Sequence, residues 1–225
     1  MKEIVAAELA KRVKDGELLG IGTGSTVEAA LEKIKERVVK EELDLHVVPT
    51  SVQSAWKCEE IGLKVLSPVY RGPISWGFDG ADAVDGNNWL VKGKGAAMLQ
   101  EKILAARCKE FVIIVDESKL VKDLRVCPVP VEFISEASSV VEKGLKTLGA
   151  TKIALRPAVG KHGPIVTEAG NLIYDAEFEK IYPELEERIK SIVGVVESGL
   201  FIGYADEILV GGAAGIRSIK SSKVK

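Results

Sequence analysis

Apolar residues recur at two different spacings along the first half of the chain. In residues 3–14 (EIVAAELAKRVK) they lie three or four positions apart, which predicts a helix that ends at Asp15-Gly16. The short apolar run ELLGIG at 17–22 predicts a strand, and residues 27–43 return to helical spacing. The alternation continues to the apolar run EFVIIVDES at 110–118, and it therefore predicts a parallel α/β sheet.

The order of elements changes near residues 127–134 (CPVPVEFI), where two prolines interrupt the pattern. From there the spacing predicts the order strand, helix, strand, strand, helix, strand, which is typical of a small α+β unit with an antiparallel sheet. Within this unit, residues 195–201 (VVESGLF) are predicted as one strand. The last run, EILVGG at 207–212, is predicted to return to the first sheet.

The predicted fold class is therefore α/β: a doubly wound, mostly parallel sheet domain with an inserted smaller α+β domain. We place the catalytic α/β domain at residues 1–127 plus 204–225 and the inserted domain at residues 128–203. The chain of 225 residues, 46% of them hydrophobic, is long enough to bury the core of such an arrangement.

Charge and cysteine content narrow the classes of partner and location. The 31 basic and 33 acidic residues give a net charge of −2, so we expect neither a nucleic acid nor a membrane as partner. The three cysteines are far apart and form no C-x-x-C pair, which favours a reducing compartment. With no signal-peptide pattern at the N-terminus, the expected location is cytoplasmic.

The segment GIGTGST at residues 20–26 lies between a predicted strand and a predicted helix. Glycines allow a ligand close to the backbone, and the amide groups at a helix N-terminus favour an anion. The segment is neither a complete dinucleotide fingerprint nor a Walker loop, and Pro49-Thr50-Ser51 supplies no acidic residue for a ribose. Two interpretations stay open: a phosphate or carboxylate site, or a tight turn with Ser25 or Thr26 as N-cap.

Three aspartates recur in DGADAVD, residues 79–85, directly after an apolar run. Their spacing lacks the further oxygen ligands of a calcium loop, so no metal site is predicted. Asp79 and Asp82 follow the carboxyl end of a strand, where open α/β sheets place ligands, although a solvated turn is the alternative. Asp85 with Gly86 and the two asparagines after it is predicted to form a turn.

Lys92 and Lys94 lie in KGKG, residues 92–95, a loop that leads into a helix. Two cations among glycines suit an oxyanion or a phosphate, and the alternative is a surface loop. Glu101 follows in a polar break of that helix. Taken alone, its position favours a solvated helix face.

Taken together and in this order, these segments resemble a known family. GIGTGST, DGADAVD, VKGKGAAMLQEKI, VDESKLV, GKHGPIVTEAGNLIYD and ESGLFIGYADEILVG are similar to the blocks of ribose-5-phosphate isomerase, type A. The resemblance covers nearly the whole chain. It implies an aldose–ketose isomerase of the non-oxidative pentose phosphate pathway that interconverts D-ribose 5-phosphate and D-ribulose 5-phosphate, without a metal or another cofactor.

The resemblance also implies roles for four candidate catalytic residues. Glu101 matches the family's general base, which moves a proton between C2 and C1 through a cis-enediolate. Lys92 matches the lysine that stabilises charge on the sugar oxygens. Asp79 matches the residue implicated in opening the furanose ring, and Asp82 matches one that orients sugar hydroxyls. On this basis Glu101 is a base rather than a solvated side chain.

Further residues are implied in substrate binding. The substrate loop corresponds to Thr23, Gly24, Ser25 and Thr26, the phosphate lysines correspond to Lys2 and Lys119, and the glycine-rich loop contributes Gly93, Lys94 and Gly95 beside Lys92. Lys94 and Ala96 replace glycines of the family's loop, which leaves the loop's shape open. The resemblance further implies a homodimer or homotetramer.

Three rival functions fit the sequence less well. A sugar-phosphate sensor would need a DNA-binding extension or a basic patch, and the sequence has neither. A phosphogluconolactonase or an amino-sugar phosphate isomerase is expected to lack the set Asp79, Asp82, Lys92 and Glu101 at this spacing. An NAD-dependent dehydrogenase is disfavoured because the acidic residue for the ribose is missing.

Overall fold

Strands and helices alternate along the first part of the chain, as the spacing of apolar residues predicts. The computed structural model describes residues 1–221. The strands are β1 (Leu18–Ile21), β2 (His46–Pro49), β3 (Lys64–Val65), β4 (Trp76–Asp79), β5 (Ala83–Val84), β6 (Leu90–Val91), β7 (Phe111–Asp116), β8 (Val129–Phe133), β9 (Ala150–Leu155), β10 (Leu172–Phe178), β11 (Val195–Ser198), β12 (Leu200–Phe201), β13 (Glu207–Gly212) and β14 (Gly215–Lys220). The α-helices are α1 (Lys2–Ala10), α2 (Ser25–Glu41), α3 (Val52–Glu60), α4 (Met98–Arg107), α5 (Ser138–Thr147) and α6 (Leu185–Lys190).

The chain forms two compact units, which do not coincide with continuous halves of the sequence. Within the described residues, the first unit comprises Met1–Ala81, Gln100–Leu120 and 203–221, and the second comprises Asp82–Leu99 and Val121–Ile202. The predicted domain boundaries at 127/128 and 203/204 stay a prediction, because compact units in the structure do not by themselves define domains. The second unit takes in residues 82–99 because β5 and β6 pair there with each other and with β12.

The first unit is built on a seven-stranded sheet with the order β14-β13-β7-β4-β1-β2-β3. All neighbouring strands are parallel except the edge strand β14, which is antiparallel to β13. The predicted return of residues 207–212 to this sheet is confirmed, because β13 pairs in parallel with β7. The α/β fold class is thereby confirmed as well.

Helix α2 shows how the local sequence produces the elements that flank this sheet. Its apolar residues Val27, Leu31 and Ile34 recur at helical spacing and are almost completely buried. Burial of each large aliphatic side chain contributes about 1.5–3 kcal/mol. The helix starts after Gly24 and ends at Glu41, because the next residue, Glu42, has a left-handed φ of 55°.

The second unit contains an antiparallel four-stranded sheet, β11-β8-β10-β9, and a three-stranded sheet, β12-β6-β5. Strands β8 to β11 with α5 and α6 follow the predicted order of the α+β unit. Its core includes Phe133, which stacks on Tyr174 with ring centroids 4.3 Å apart, and the buried residues Val141 and Ile189 of the two helices. The sheet and both helices therefore share one apolar core.

The prediction of one strand over residues 195–201 is wrong. Residues Val195–Ser198 join the four-stranded sheet, whereas Leu200–Phe201 join the three-stranded sheet. Gly199 separates them: its amide donates to the carbonyl of Pro130 at 2.7 Å, and its carbonyl accepts from the amide of Lys92 at 2.8 Å. Period-two spacing cannot show that successive residues pair with different sheets.

Candidate functional site

The candidate ligand-binding edge of the first unit lies at the carboxyl ends of β1 and β4, where the strand order switches. From β1 the chain proceeds outward to β2 and β3 and then crosses to β4 on the other side of β1. Such a switch in strand order leaves a crevice at the carboxyl ends of the strands, where α/β proteins bind ligands. Asp79 ends β4, and the loop Thr23–Thr26 follows β1.

Asp79 is completely buried at this edge. Its Oδ1 accepts hydrogen bonds from the amides of Gly80 at 2.7 Å and Thr23 at 3.2 Å. The backbone of Gly22 passes so close that a Cβ atom there would lie 2.1 Å from Cγ of Asp79. A glycine is therefore required at this position of the loop, because only a residue without a side chain lets the buried carboxylate lie directly against the backbone.

The side chain of Thr23 belongs to a cluster of hydroxyl groups. Its Oγ1 lies 2.8 Å from that of Thr50 and donates to Oγ of Ser51 at 2.9 Å. Ser54 adds a hydroxyl 3.3 Å from Thr23 and donates to the carbonyl of Gly22 at 2.8 Å. Thr50, Ser51 and Ser54 are not among the site residues predicted from the sequence. Their position after the second predicted strand could have indicated them, because the carboxyl ends of parallel strands lie at the same edge of the sheet as Thr23.

The N-terminus of α2 forms the other end of this loop. Gly24, with φ of 114°, is the N-cap, and Ser25 is the first helical residue, so the expectation of Ser25 or Thr26 as N-cap is wrong. Lys2 donates a hydrogen bond from Nζ to Oγ of Ser25 at 2.7 Å. The first amides of a helix have no partner within the helix, so these amides and the ammonium group together favour an anion.

Lys119 lies in the 3₁₀ turn Glu117–Lys119 directly after β7. Hydrogen bonding from the Ser118 hydroxyl holds the pKa of Asp116 below its usual value, and the positive charges of Lys119 and Lys2 act in the same direction against the effect of burial. Both candidate phosphate lysines thus lie near one carboxylate at the end of β7. Lys2 is thus hydrogen-bonded to Ser25, and Lys2 and Lys119 both act electrostatically on Asp116 in the first unit.

Glu101 lies in the first turn of α4 and is only 3% exposed. The interpretation as part of a solvated helix face is therefore wrong. Its neighbour Lys102 is also buried, with Nζ 5.5 Å from the centre of the Tyr204 ring. Carboxylates and ammonium groups are rarely buried without a structural or functional partner, so this turn of α4 is a candidate for chemistry.

Lys92 is the corresponding buried cation of the second unit, with 3% of the residue exposed. Its Nζ lies 5.5 Å from the centre of the Phe201 ring, a cation–π distance. The carbonyl of Gly199 holds the Lys92 amide at 2.8 Å. The surface-loop interpretation is therefore wrong for this side chain, although it describes the exposed residues Lys94 and Gly95.

The loop after Lys92 is a turn closed by a 3.0 Å hydrogen bond from the Ala96 amide to the Gly93 carbonyl. The amide of Lys94 donates to Oδ2 of Asp82 at 3.0 Å. Gly93 and Ala96 both have positive φ, 101° and 62°. The structure thus brings Asp82 to Lys94 within the second unit, and the left-handed position is occupied by alanine.

The third aspartate of the trio is a turn residue, as predicted. Oδ1 of Asp85 accepts from the amides of Asn87 and Trp89, both at 2.9 Å, between β5 and β6. Over residues 1–221, no group of three or more His, Cys, Asp and Glu residues has an arrangement that could hold a metal ion. Nor does any helix in that range combine the length and apolar character needed to cross a bilayer.

The switch in strand order, the cationic helix N-terminus and the buried carboxylates are typical of α/β enzymes with small anionic ligands. A family model described as ribose 5-phosphate isomerase A (phosphoriboisomerase A) matches residues 46–215. The chain belongs to this family and is therefore an isomerase.

Individual relatives agree with this assignment over almost the full chain. Ribose-5-phosphate isomerase A of Methanothermobacter thermautotrophicus is 40% identical over 98% of this chain and 97% of its own length. The structure of ribose 5-phosphate isomerase A from Methanocaldococcus jannaschii superposes with a TM-score of 0.93 at 37% identity, covering 98% of each chain. A D-ribose-5-phosphate isomerase in complex with phospho-erythronic acid superposes with a TM-score of 0.94 at 37% identity, covering 98% of this chain and 97% of that one.

Proposed function

We propose that the protein interconverts D-ribose 5-phosphate and D-ribulose 5-phosphate, in the non-oxidative pentose phosphate pathway. The observation that carries the proposal is the burial of Asp79, Lys92 and Glu101 in a member of this family. Each of these ionisable residues is at most 3% exposed, although each lies in a polar stretch of sequence. Burying a charged group is costly, and such groups concentrate at functional sites.

Proton transfer between C2 and C1 needs a base and a means of stabilising the intermediate. In the proposed mechanism Glu101 removes the proton beside the carbonyl of the open-chain sugar and returns it to the neighbouring carbon. One carboxylate can serve both carbons if the cis-enediolate stays bound with one face toward it. Lys92 stabilises the negative charge that develops on the oxygen, an effect that is typically worth about 3 kcal/mol.

The two aspartates have separate roles before this step. We propose that Asp79 transfers the proton that opens the furanose ring. The amides of Gly80 and Thr23 hold its Oδ1, so the carboxylate has one defined orientation. Asp82 accepts from the Lys94 amide through Oδ2, and a carboxylate can accept through both oxygens. We propose that its Oδ1 accepts a hydrogen bond from a sugar hydroxyl.

We assign the substrate phosphate to the N-terminus of α2 and the two lysines of the first unit that act on Asp116. Lys2, Lys119 and the first amides of α2 supply positive charge and donors, and Ser25 and Thr26 supply hydroxyls. The relative in complex with phospho-erythronic acid, itself a phosphorylated sugar acid, supports a sugar phosphate as ligand of this chain. Thr23, Gly24, Gly93, Lys94 and Gly95 complete the proposed binding residues.

We further propose that the reaction needs no metal or other cofactor and that the enzyme is a cytoplasmic homodimer or homotetramer. No disulfide joins Cys58, Cys108 and Cys127 in the described part of the chain, which is compatible with a reducing compartment. Light scattering after size exclusion measures the oligomer directly. A monomer at micromolar concentration would contradict this part of the proposal.

The decisive experiment is an isomerase assay with ribose 5-phosphate in excess chelator, on the wild type and on Glu101→Gln. We expect full wild-type activity with chelator and a loss of more than about 100-fold in kcat for the variant. Glu177→Gln, which removes an exposed carboxylate, is the matched control. Chelator-sensitive activity would refute metal independence, and an active Glu101→Gln enzyme would refute the assignment of the base.

A further inference from the structure

One peptide group in the glycine-rich loop is held from both sides by charged side chains. The carbonyl of Gly93 and the amide of Lys94 belong to the same peptide bond. The carbonyl accepts from Nη1 of Arg156 at 2.7 Å, and the amide donates to Oδ2 of Asp82 at 3.0 Å. A planar trans peptide directs these two groups in opposite directions, so the two contacts together define the orientation of the peptide plane.

Arg156 is itself held by a second carboxylate. Its Nε donates to Oδ2 of Asp175 at 2.9 Å, and its Nη2 donates to Oδ1 at 2.5 Å. The side chains of this pair are only 13% and 24% exposed, so water screens the pair weakly. The planar guanidinium can bind a carboxylate with one edge and reach a carbonyl with its remaining nitrogen.

The backbone around the pair is also well anchored. Asp175 is central in β10, where it pairs with Pro130 on β8 and Ala154 on β9. The Arg156 amide donates to the Ile173 carbonyl at 2.9 Å, and its carbonyl accepts from the Ile165 amide at 3.0 Å. The guanidinium therefore projects from a rigid part of the four-stranded sheet toward a loop that has no regular structure of its own.

We propose that Arg156, held by Asp175, is a positioning residue that sets the geometry of the loop carrying Lys92 and of the carboxylate of Asp82. It acts through the Gly93–Lys94 peptide and does not touch the substrate. The inference rests on the proposed function only where enzyme kinetics are measured, and the structural role of Arg156 can be tested without it. A lysine at this position would keep the positive charge but lose the fork, that is, the three guanidinium nitrogens that bind Asp175 and Gly93 together. One ammonium nitrogen cannot replace all three.

The neighbouring pair Lys152–Glu177 provides a matched control. Lys152 on β9 contacts Glu177 on β10 at 2.8 Å, close in sequence to Arg156 and Asp175, but the two side chains are 68% and 47% exposed. Removing an exposed pair of this kind changes little. The test compares Arg156→Met, Arg156→Lys and Asp175→Asn with Lys152→Met.

The first measurement is amide hydrogen exchange over residues 92–97 without any ligand. We expect exchange in Arg156→Met to be about 10- to 100-fold faster than in the wild type, because the loop opens more often. Asp175→Asn should show a smaller change in the same direction and stays informative if Arg156→Met does not fold. Exchange equal to that of Lys152→Met in both variants would overturn the proposal.

The second measurement is kcat and KM for ribose 5-phosphate, well below the melting temperature of each variant. We expect kcat/KM of Arg156→Met to fall about 10- to 100-fold, mainly through kcat, with Lys152→Met within about twofold of wild type. Full recovery of kcat in Arg156→Lys would overturn the role of the fork. An inactive wild-type enzyme would instead refute the proposed function, while the exchange experiment would still test the loop.

Discussion

Gly22 lies so close to Asp79 that a Cβ atom at position 22 would be 2.1 Å from Cγ and 2.2 Å from Oδ1 of the carboxylate. Both residues are at the carboxyl edge of the seven-stranded sheet, one after β1 and one at the end of β4. The absence of a side chain at position 22 therefore determines where the carboxylate can lie.

Replacing Gly22 with alanine should displace Asp79 and lower isomerase activity. We expect kcat/KM for ribose 5-phosphate to fall about 100-fold, because displacing a reacting group by about 1 Å has an effect of that size. Gly86→Ala is the control, since a Cβ atom there meets nothing within 4 Å. Equal activity of the two variants would show that the position of Asp79 is not critical.

Lys92 and Lys94 should differ in kinetics although they are two residues apart. Lys92 is 3% exposed and Lys94 lies on the surface. We expect Lys92→Ala to lower kcat by about 100-fold or more, as for loss of a preorganised donor to a developing oxyanion. Lys94→Ala should instead raise KM by a few-fold, because an exposed ammonium stabilises bound substrate and transition state alike. Steady-state kinetics of both variants decide this, and a large loss of kcat in Lys94→Ala would reverse the assignment.

The left-handed conformation of Ala96 predicts a stabilising substitution. A φ of 62° disfavours a residue with a Cβ atom by about 1–2 kcal/mol, whereas glycine adds about 0.4–1 kcal/mol of unfolded-state entropy. Ala96→Gly should therefore raise the free energy of unfolding by about 0.5 kcal/mol. Ala213→Gly, in a turn without positive φ, should lower it by about as much. Urea unfolding measures both changes, and a destabilised Ala96→Gly protein would contradict the argument.

The environment of Glu207 predicts that the free energy of unfolding depends on pH. Burial raises the pKa of this carboxyl group, but hydrogen bonds from Arg12, Lys220 and Ser218 outweigh that effect and lower it to about 2. The distances are 2.6 Å to Nη2 of Arg12 and 2.6 Å to Oγ of Ser218. Because the folded pKa is below the unfolded value of about 4.3, the contribution is complete above pH ~4.3 and is lost as the pH falls toward 2.

The corresponding measurement is the free energy of unfolding of the wild type and of Glu207→Gln between pH 7 and pH 2. We expect the advantage of the wild type to shrink by about 2–3 kcal/mol between pH ~4.3 and ~2, where the wild-type carboxyl group becomes protonated. Glu177→Gln, which removes an exposed partner of Lys152, serves as the control. An advantage that stays constant below pH 4 would contradict the assigned pKa.

The spacing of apolar residues was sufficient to predict the two main sheets, but not the three-stranded sheet β12-β6-β5. The alternation of strands and helices up to residue 118, the change of order after the prolines near 128 and the return of β13 to the first sheet all follow from local patterns. The order of six sequence blocks was sufficient for the family, which the comparisons confirm. The type and order of strands and helices depend mainly on neighbouring residues along the chain, so the linear sequence contains them.

Contacts between distant residues were decided only by the tertiary structure. The burial of Glu101 and Lys92 contradicts their polar surroundings in sequence, because burial depends on which elements cover a side chain. The hydroxyl groups of Thr23 and Thr50 are in contact, and Arg156 donates a hydrogen bond to the carbonyl of Gly93, which is 63 residues earlier in the chain. The spacing of apolar residues cannot predict such polar contacts. They depend on which strands and loops the order of strands in a sheet brings together. The sequence alone therefore determined the fold class and the family, and the tertiary structure determined which side chains are buried and what holds them in place.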